Sequence, residues 1–303
     1  MSIPAAVKDR QAAKAGTAMA AASRDSPRRF WRIRSFCRNH AAVTAAVFLA
    51  LVGLAVIFAP WLSGHGPDDA DNLARLVPIG TPGYLLGTDQ QGRDMLARLL
   101  YGGRTSLLMG IVPVLVASLI GGMLGVLAGF IGGRVNTAIM RTMDVFYAFP
   151  SVLLAVAIAG AMGGGMVNGM LALTMVFTPP MCRVAETATT QLRALDFIEA
   201  ARASGAGTAS IIRYHVLGNV LGPVFIYASS LVSVSILLAS GLSFLGLGVR
   251  PPTPDWGLML STLRGSIYVV PVVCALPGMA IFATSICCNL VSDGLRTAMD
   301  VRM

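Results

Sequence analysis

Five long intervals of this chain, residues 41–60, 105–133, 145–182, 216–249 and 265–292, contain no Asp, Glu, Lys or Arg. A helix rises roughly 1.5 Å per residue and the hydrocarbon core of a bilayer is about 30 Å thick, so about 20 such residues cross it once. A chain broken up this way folds against lipid. The composition agrees: 55% hydrophobic and 12% charged residues, with a mean hydropathy of +0.72, leave too little polar surface to cover a 31.6 kDa globule in water. Disorder is excluded on the same ground. The formal charge of +9 does not signal nucleic acid, because nine of the 23 basic residues precede position 41, just ahead of an apolar run.

Interval by interval, the reading is an all-α polytopic membrane protein with six transmembrane helices. Residues 41–60 have one span's length, and the 40-residue basic leader before them is too long for a signal peptide, so this span is a retained anchor. Residues 105–133 form the second span and carry Gly121, Gly125, Gly129 and Gly133 at intervals of four, the spacing of a helix-packing face. The 38 residues of 145–182 would make a helix of about 57 Å, nearly twice the core. Gly163, Gly164 and Gly165 near their middle predict a turn between two short spans. Residues 216–249 supply one span and a folded outer loop, and 265–292 supply the sixth span, bent or delayed by Pro271 and Pro277.

Six spans put both termini on one side. That side then holds seventeen basic residues against six on the other, which places the termini in the cytoplasm; five spans would split them thirteen to ten. The resulting order is a basic leader (1–40), a first transmembrane helix (41–60), an outer loop (61–103), a five-helix core (104–292) with a cytoplasmic loop at 183–218, and a tail (293–303).

Catalytic chemistry is hard to find. The three histidines are not spaced as ligands, and no two of the five cysteines form a CxxC pair, so no metal site or disulfide framework is expected. Cys287 and Cys288 read as small apolar packing residues. Ser243 in Gly241-Leu242-Ser243-Phe244 lacks the second glycine of an intramembrane serine protease motif. There is no GxxxxGK[ST] phosphate loop, since Lys8 and Lys14 are the only lysines. Every apolar interval is free of charge, whereas carriers driven by ion gradients keep ionisable groups near the midplane. Asp144, the nearest candidate, sits beside Arg141 and reads as half of a local ion pair. An intramembrane enzyme and an ATP-independent carrier are therefore the weaker readings, and the chain reads as one subunit of a machine whose motor is another polypeptide.

The loop 183–218 has the properties of a socket for such a motor. Asp196 and Glu199 suit a helix N-terminus, Ala200, Ala201 and Ala203 make the helix slim, and Gly205 can end it in a left-handed turn. Glu199-Ala200-Ala201, then Gly205, then His215 and Leu217 at this spacing resemble the EAA signature of bacterial ABC importer permeases, the loop that docks on the ATPase. Further segments narrow the resemblance: Leu86 to Asp94, with Gly87, Asp89, Gly92, Arg93 and Asp94; Met140 to Asp144 and Ala148 to Pro150; Leu242 to Gly248; Pro251 to Gly257; and Asp293 to Arg296. Together they are similar to the second, C-type permease subunit of the dipeptide, oligopeptide and nickel family, over roughly residues 30–300. Gly218 departs from that family, which has Pro after His-x-Leu.

The resemblance implies a type I ABC importer permease fold in the bacterial inner membrane. It also implies a homologous second permease, two cytoplasmic ATPase subunits that use the ATP, and an outer-face solute-binding protein. No cofactor is expected on this chain, and no nucleic acid. The implied cargo is a di- or oligopeptide, with nickel chelates or glutathione as alternatives. Three roles are open for the 87–94 motif: folding the outer loop, contacting the binding protein, or lining the mouth of the pathway. Pro251 to Trp256 reads as a rigid turn with Trp256 at the membrane interface.

Overall fold

A computed structural model describes residues 36–299, and every described element of regular structure is a helix apart from isolated β-bridges in the outer loop. The leader up to residue 35 and the tail from 300 lie outside the described residues.

Helix α1, His40–Ile57, starts where the Asn39 side chain accepts a hydrogen bond from the Ala42 amide at 3.2 Å. Only Ala42, Ala45 and Val56 are buried along it, while Val47, Leu51 and Leu54 stand exposed. A helix apolar on its exposed face as well as its packed one is what a bilayer selects. A short helix α2, Ala59–Leu62, follows. Helix α3, Met95–Ile131, is the longest at 37 residues and begins at Asp94, whose carboxylate accepts from the Leu96 and Ala97 amides. It ends at Gly132, whose φ of +72° only glycine adopts without strain.

Beyond Gly132 the amphipathic α4, Gly133–Tyr147, meets α5, Ser151–Ala161, at a bend of 89°. Pro150 stands at the corner, where the residue before a proline is pushed away from helical geometry. The turn at Gly163, Gly164 and Gly165, all at positive φ, leads into α6, Met166–Arg193, with Pro179 and Pro180 inside it. Then come α7, Asp196–Ala203, α8, Thr208–Ile211, a π-helical turn, Ile212–Val216, and α9, Leu217–Phe244. The loop after α9 returns through α10, Trp256–Leu263, to α11, Pro271–Met299.

Among the described residues, four helical segments are long and apolar enough to cross a bilayer: α1, α3, α8 through α9, and α11; the bent α4–α5 pair makes five. The count differs from six because residues 145–182 do not divide evenly. Helix α5 has 11 residues, about 16 Å, half a crossing. Helix α6 has the length but carries two prolines and a polar second half, and its side chains face protein: Leu173, Phe177, Met181 and Ala185 are buried.

The core sits where α3, α5, α6 and α9 meet, around Met109, Leu173, Phe177 and Met181, with a second cluster joining α10 and α11 to α3. Two expectations fail here. Trp256 is 3% exposed, not interfacial: its indole N–H donates to the Leu99 carbonyl at 2.9 Å and its ring lies against Gly103. Asp144 pairs with Arg183 of α6 rather than Arg141, because α4 packs against α6. Ser243, which the protease comparison singled out, is fully buried, and its hydroxyl accepts from the Val249 amide.

Candidate functional site: coupling loop, outer motif and inner cleft

Helix α7 begins with Asp196 and Glu199 in its first turn and ends in a Schellman arrangement. The Gly205 amide donates to Arg202 O and the Ala206 amide to Ala201 O, with Gly205 at φ +81°. One side chain, Ile198, anchors the helix in the core, and the Arg202 guanidinium lies 5.3 Å over the Phe130 ring at the end of α3. Glu199, Ala200 and Gly205 are exposed, and Ala201 is half-buried. His215 lies in the π-turn with its ring 6.3 Å from that of Phe197, and Leu217 opens α9. The Phe197–His215 approach thus brings the start of α7 towards the π-turn. At Gly218, where the family has proline, the chain runs on as helix directly after the π-turn.

The outer motif turns inward. Asp89 is 4% exposed and accepts from the Gln91 and Arg93 amides at 2.8 and 3.0 Å; its other oxygen meets Arg93 Nε at 2.7 Å and Arg98 Nε at 3.5 Å. Asp94 caps α3. Gly87 and Gly92 have positive φ, and a Cβ on Gly92 would run into the Asp71 carbonyl. Gln90 reaches across to the Thr262 carbonyl and the Ser266 hydroxyl, both at 2.9 Å, tying this loop to α10.

The glycine face is a contact surface for three of its four members. A Cβ on Gly121 would lie 2.6 Å from Thr178 O, on Gly125 2.7 Å from Ala185 Cβ, and on Gly129 2.7 Å from Glu186 O, all on α6. Gly133 does not join them: it opens α4 at φ +54° and faces open space.

One feature has no counterpart in the sequence reading. Between α4, α6 and α9 lies a cleft made of two cavities, about 450 and 270 Å3, which share Tyr147, Pro180 and Tyr227. Among the described residues, Arg183 is the one charged residue in its lining, with its guanidinium 5.3 Å from the Tyr147 ring centre and paired to Asp144 at the rim. Arg183 and Asp144 stand 39 positions apart, so spacing could not reveal the pair; the signal present was Pro179-Pro180 in a long helix.

With this geometry in hand, the family is plain. A family model for the inner membrane component of binding-protein-dependent transport systems matches residues 121–303, and one for the N-terminal transmembrane domain of oligopeptide transport permease C matches residues 28–78. The chain belongs to the family of binding-protein-dependent transport system inner membrane components: it is a multi-pass permease subunit of an ABC importer in the inner membrane. Its relatives include the di/tripeptide transport system permease protein DppC of Pseudomonas aeruginosa, 39% identical over 90% of this chain and 91% of that one. The glutathione transport system permease protein GsiD of Pectobacterium atrosepticum is 39% identical over 91% of each chain. The probable D,D-dipeptide transport system permease protein DdpC of Escherichia coli is 39% identical over 85% of this chain and 86% of that one. In fold, the chain is similar to one in an inward-facing structure of the MetNI methionine ABC transporter, with a TM-score of 0.52 at 20% identity, covering 66% of this chain and 97% of the other.

Proposed function

We propose that this subunit forms one half of a translocation pathway for di- or oligopeptides, six spans with both termini in the cytoplasm. A homologous second permease completes the pathway, an outer-face binding protein delivers the peptide, and two cytoplasmic ATPases, not this chain, bind and hydrolyse ATP. The domain order is the one read from the charge pattern, with the core at 104–292 and the coupling loop at 183–218. The observation that carries the reading is α7: a short helix with an exposed Glu199-Ala200 face, held through Ile198 against the central bundle, so that a push on it reaches α3 and α6. Closure of the ATPases drives α7, and the spans behind it tilt between inward-open and outward-open states. Gly121, Gly125 and Gly129 let α3 and α6 tilt as one body. The motif Gly87, Asp89, Gly92, Arg93 and Asp94 folds the outer loop, because its carboxylates are occupied internally.

Peptide cargo is favoured by the relatives DppC and DdpC, named for di/tripeptide and D,D-dipeptide transport, and glutathione by GsiD at the same 39% identity. Glutathione is itself a modified tripeptide with free carboxylates, so both readings use one chemistry. The deciding experiment is uptake of a labelled dipeptide, with and without this gene, in a strain lacking other peptide importers. Longer peptide, glutathione and a nickel chelate serve as competitors. Loss of uptake on deletion, with competition by peptide, is the expected result. Unchanged uptake overturns the dipeptide reading, and competition by glutathione alone moves the assignment to glutathione.

A further inference from the structure

Three helix irregularities converge on the cleft between α4, α6 and α9. Pro179 and Pro180 interrupt the hydrogen bonding of α6, Pro223 interrupts that of α9, and the 89° corner between α4 and α5 lies beside them. A proline has no N–H for the carbonyl four residues earlier, so the carbonyls of Met175, Val176 and Asn219 lose their helical partners. In a bilayer, backbone freed in this way is tolerated only where protein covers it or water reaches it. The ion pair adds the same constraint. Arg183 and Asp144 are 51% and 44% exposed on the surface of this subunit, and a half-exposed charge pair does not belong on a lipid face. At the cytoplasmic edge of the spans, such a cleft suits a water-lined pathway better than a lipid-covered face.

Its chemistry is selective. The walls are aromatic and aliphatic, with Tyr147, Phe149 and Tyr227 prominent, and the volume lies in the range of small-ligand sites, about 300–1,000 Å3. Among the described residues, a single guanidinium, steadied over the Tyr147 ring, is the only lining charge. Arginine is the side chain suited to a carboxylate, which it can grip with two parallel N–H groups. Asp144 already occupies it, so an arriving carboxylate must exchange with an internal one. Exchange of like for like gives weak, reversible binding, which a pathway needs if cargo is to leave.

We propose that this cleft is a cargo-binding station on the cytoplasmic part of the pathway, where Arg183 exchanges Asp144 for the terminal carboxylate of a peptide. The aromatic walls take the peptide's side chains with little sequence preference. This rests on the peptide-importer reading above and adds the part of the cargo that is recognised.

The test uses inside-out membrane vesicles carrying the whole transporter, with Gln191→Cys at the cleft wall as a probe for a fluorescent maleimide, read above the labelling of the parent chain. L-alanyl-L-alanine slows labelling at least threefold, whereas its C-terminal amide leaves the rate within 1.5-fold of the control. Asp144→Asn, which frees Arg183, lowers the half-protecting concentration about fivefold; Arg183→Gln abolishes protection and Arg183→Lys weakens it. Equal protection by the amide, or weaker protection in Asp144→Asn, overturns the station and makes the pair a structural contact. If Arg183→Gln does not reach the membrane, Asp144→Asn decides, since a structural pair and a competing carboxylate shift protection in opposite directions. Uptake of labelled L-alanyl-L-alanine by intact cells runs in parallel. Normal ATP-dependent uptake without the protection pattern overturns the station alone, whereas absence of such uptake overturns the importer reading.

Discussion

Two glycines three positions apart on α3 differ completely in what surrounds them. Gly125 abuts α6, so the methyl group of Gly125→Ala collides with the Cys182 carbonyl and Ala185 Cβ; Gly122 has nothing within 4 Å. Overpacking of a close contact costs about 1–3 kcal/mol. Gly125→Ala should therefore lower the melting temperature of the detergent-solubilised protein by several degrees while Gly122→Ala leaves it unchanged, and equal effects would refute a packing role. Asp255 is the second residue whose setting makes a prediction. It caps α10, buried at 1% exposure, accepting from the Ser106 hydroxyl at 2.6 Å and the Leu258 amide at 3.1 Å. Burial pushes its carboxyl above the usual aspartate range, and these two hydrogen bonds only partly oppose it. The folded state then holds the proton more tightly than the unfolded chain does. This contribution to stability is full below the unfolded value and is lost as pH rises through the folded one. Against Asp255→Asn, the native protein should gain relative thermal stability as pH is lowered from 7 towards 4. A difference independent of pH would show that the carboxyl does not titrate in that range.

Helix α7 shows how far an element can be read before its structure is seen. Acidic residues at its start, alanines along it and glycine after it are local signals, and the helix with its left-handed Gly205 turn follows from them. Gly205→Ala tests the backbone alone: a left-handed conformation costs a residue with a Cβ roughly 1–2 kcal/mol, and uptake should survive. Gly205→Trp adds bulk at an exposed position where a Cβ meets nothing within 4 Å and carries the same backbone cost as Gly205→Ala, so membrane levels should match those of Gly205→Ala while uptake falls at least tenfold. Normal uptake by a well-expressed Gly205→Trp chain would show that no partner approaches there. Other elements were not legible. A charge-free interval records apolarity, not where the chain reverses, so α5 came out as half a crossing and α10 was missed within the loop that follows α9. Trp256 is of the same kind: interfacial and core tryptophans look alike in sequence, and only the closeness of Gly103 and the Leu99 carbonyl distinguishes them. The Asp144–Arg183 pair depends on α4 lying across α6, a long-range contact to which local spacing is blind.

At the scale of the whole molecule, the contacts sort the loops into two ends without reference to charge. At one end Gln90 binds Thr262 and Ser266, and the Gly165 amide donates to Leu247 O, bringing the 61–94 loop, the glycine turn and the loop after α9 together. At the other, Arg202 of α7 covers Phe130, Met299 of α11 approaches Gly222 of α9, and Gly294 packs on Ala42 of α1. The start of α1 and the end of α11 thus lie together near the start of α9, an arrangement that an even number of crossings would require. Two exposed positions test it: Leu73, 97% exposed in the first group, and Tyr214, 71% exposed in the second. In spheroplasts, a membrane-impermeant maleimide should label Leu73→Cys at once and Tyr214→Cys only after lysis. Labelling of both from outside would mean five crossings, with residues 145–182 entering and crossing once. Because five crossings would also carry α7 to the outer face, away from any ATP, the same labelling decides whether the motor socket can work.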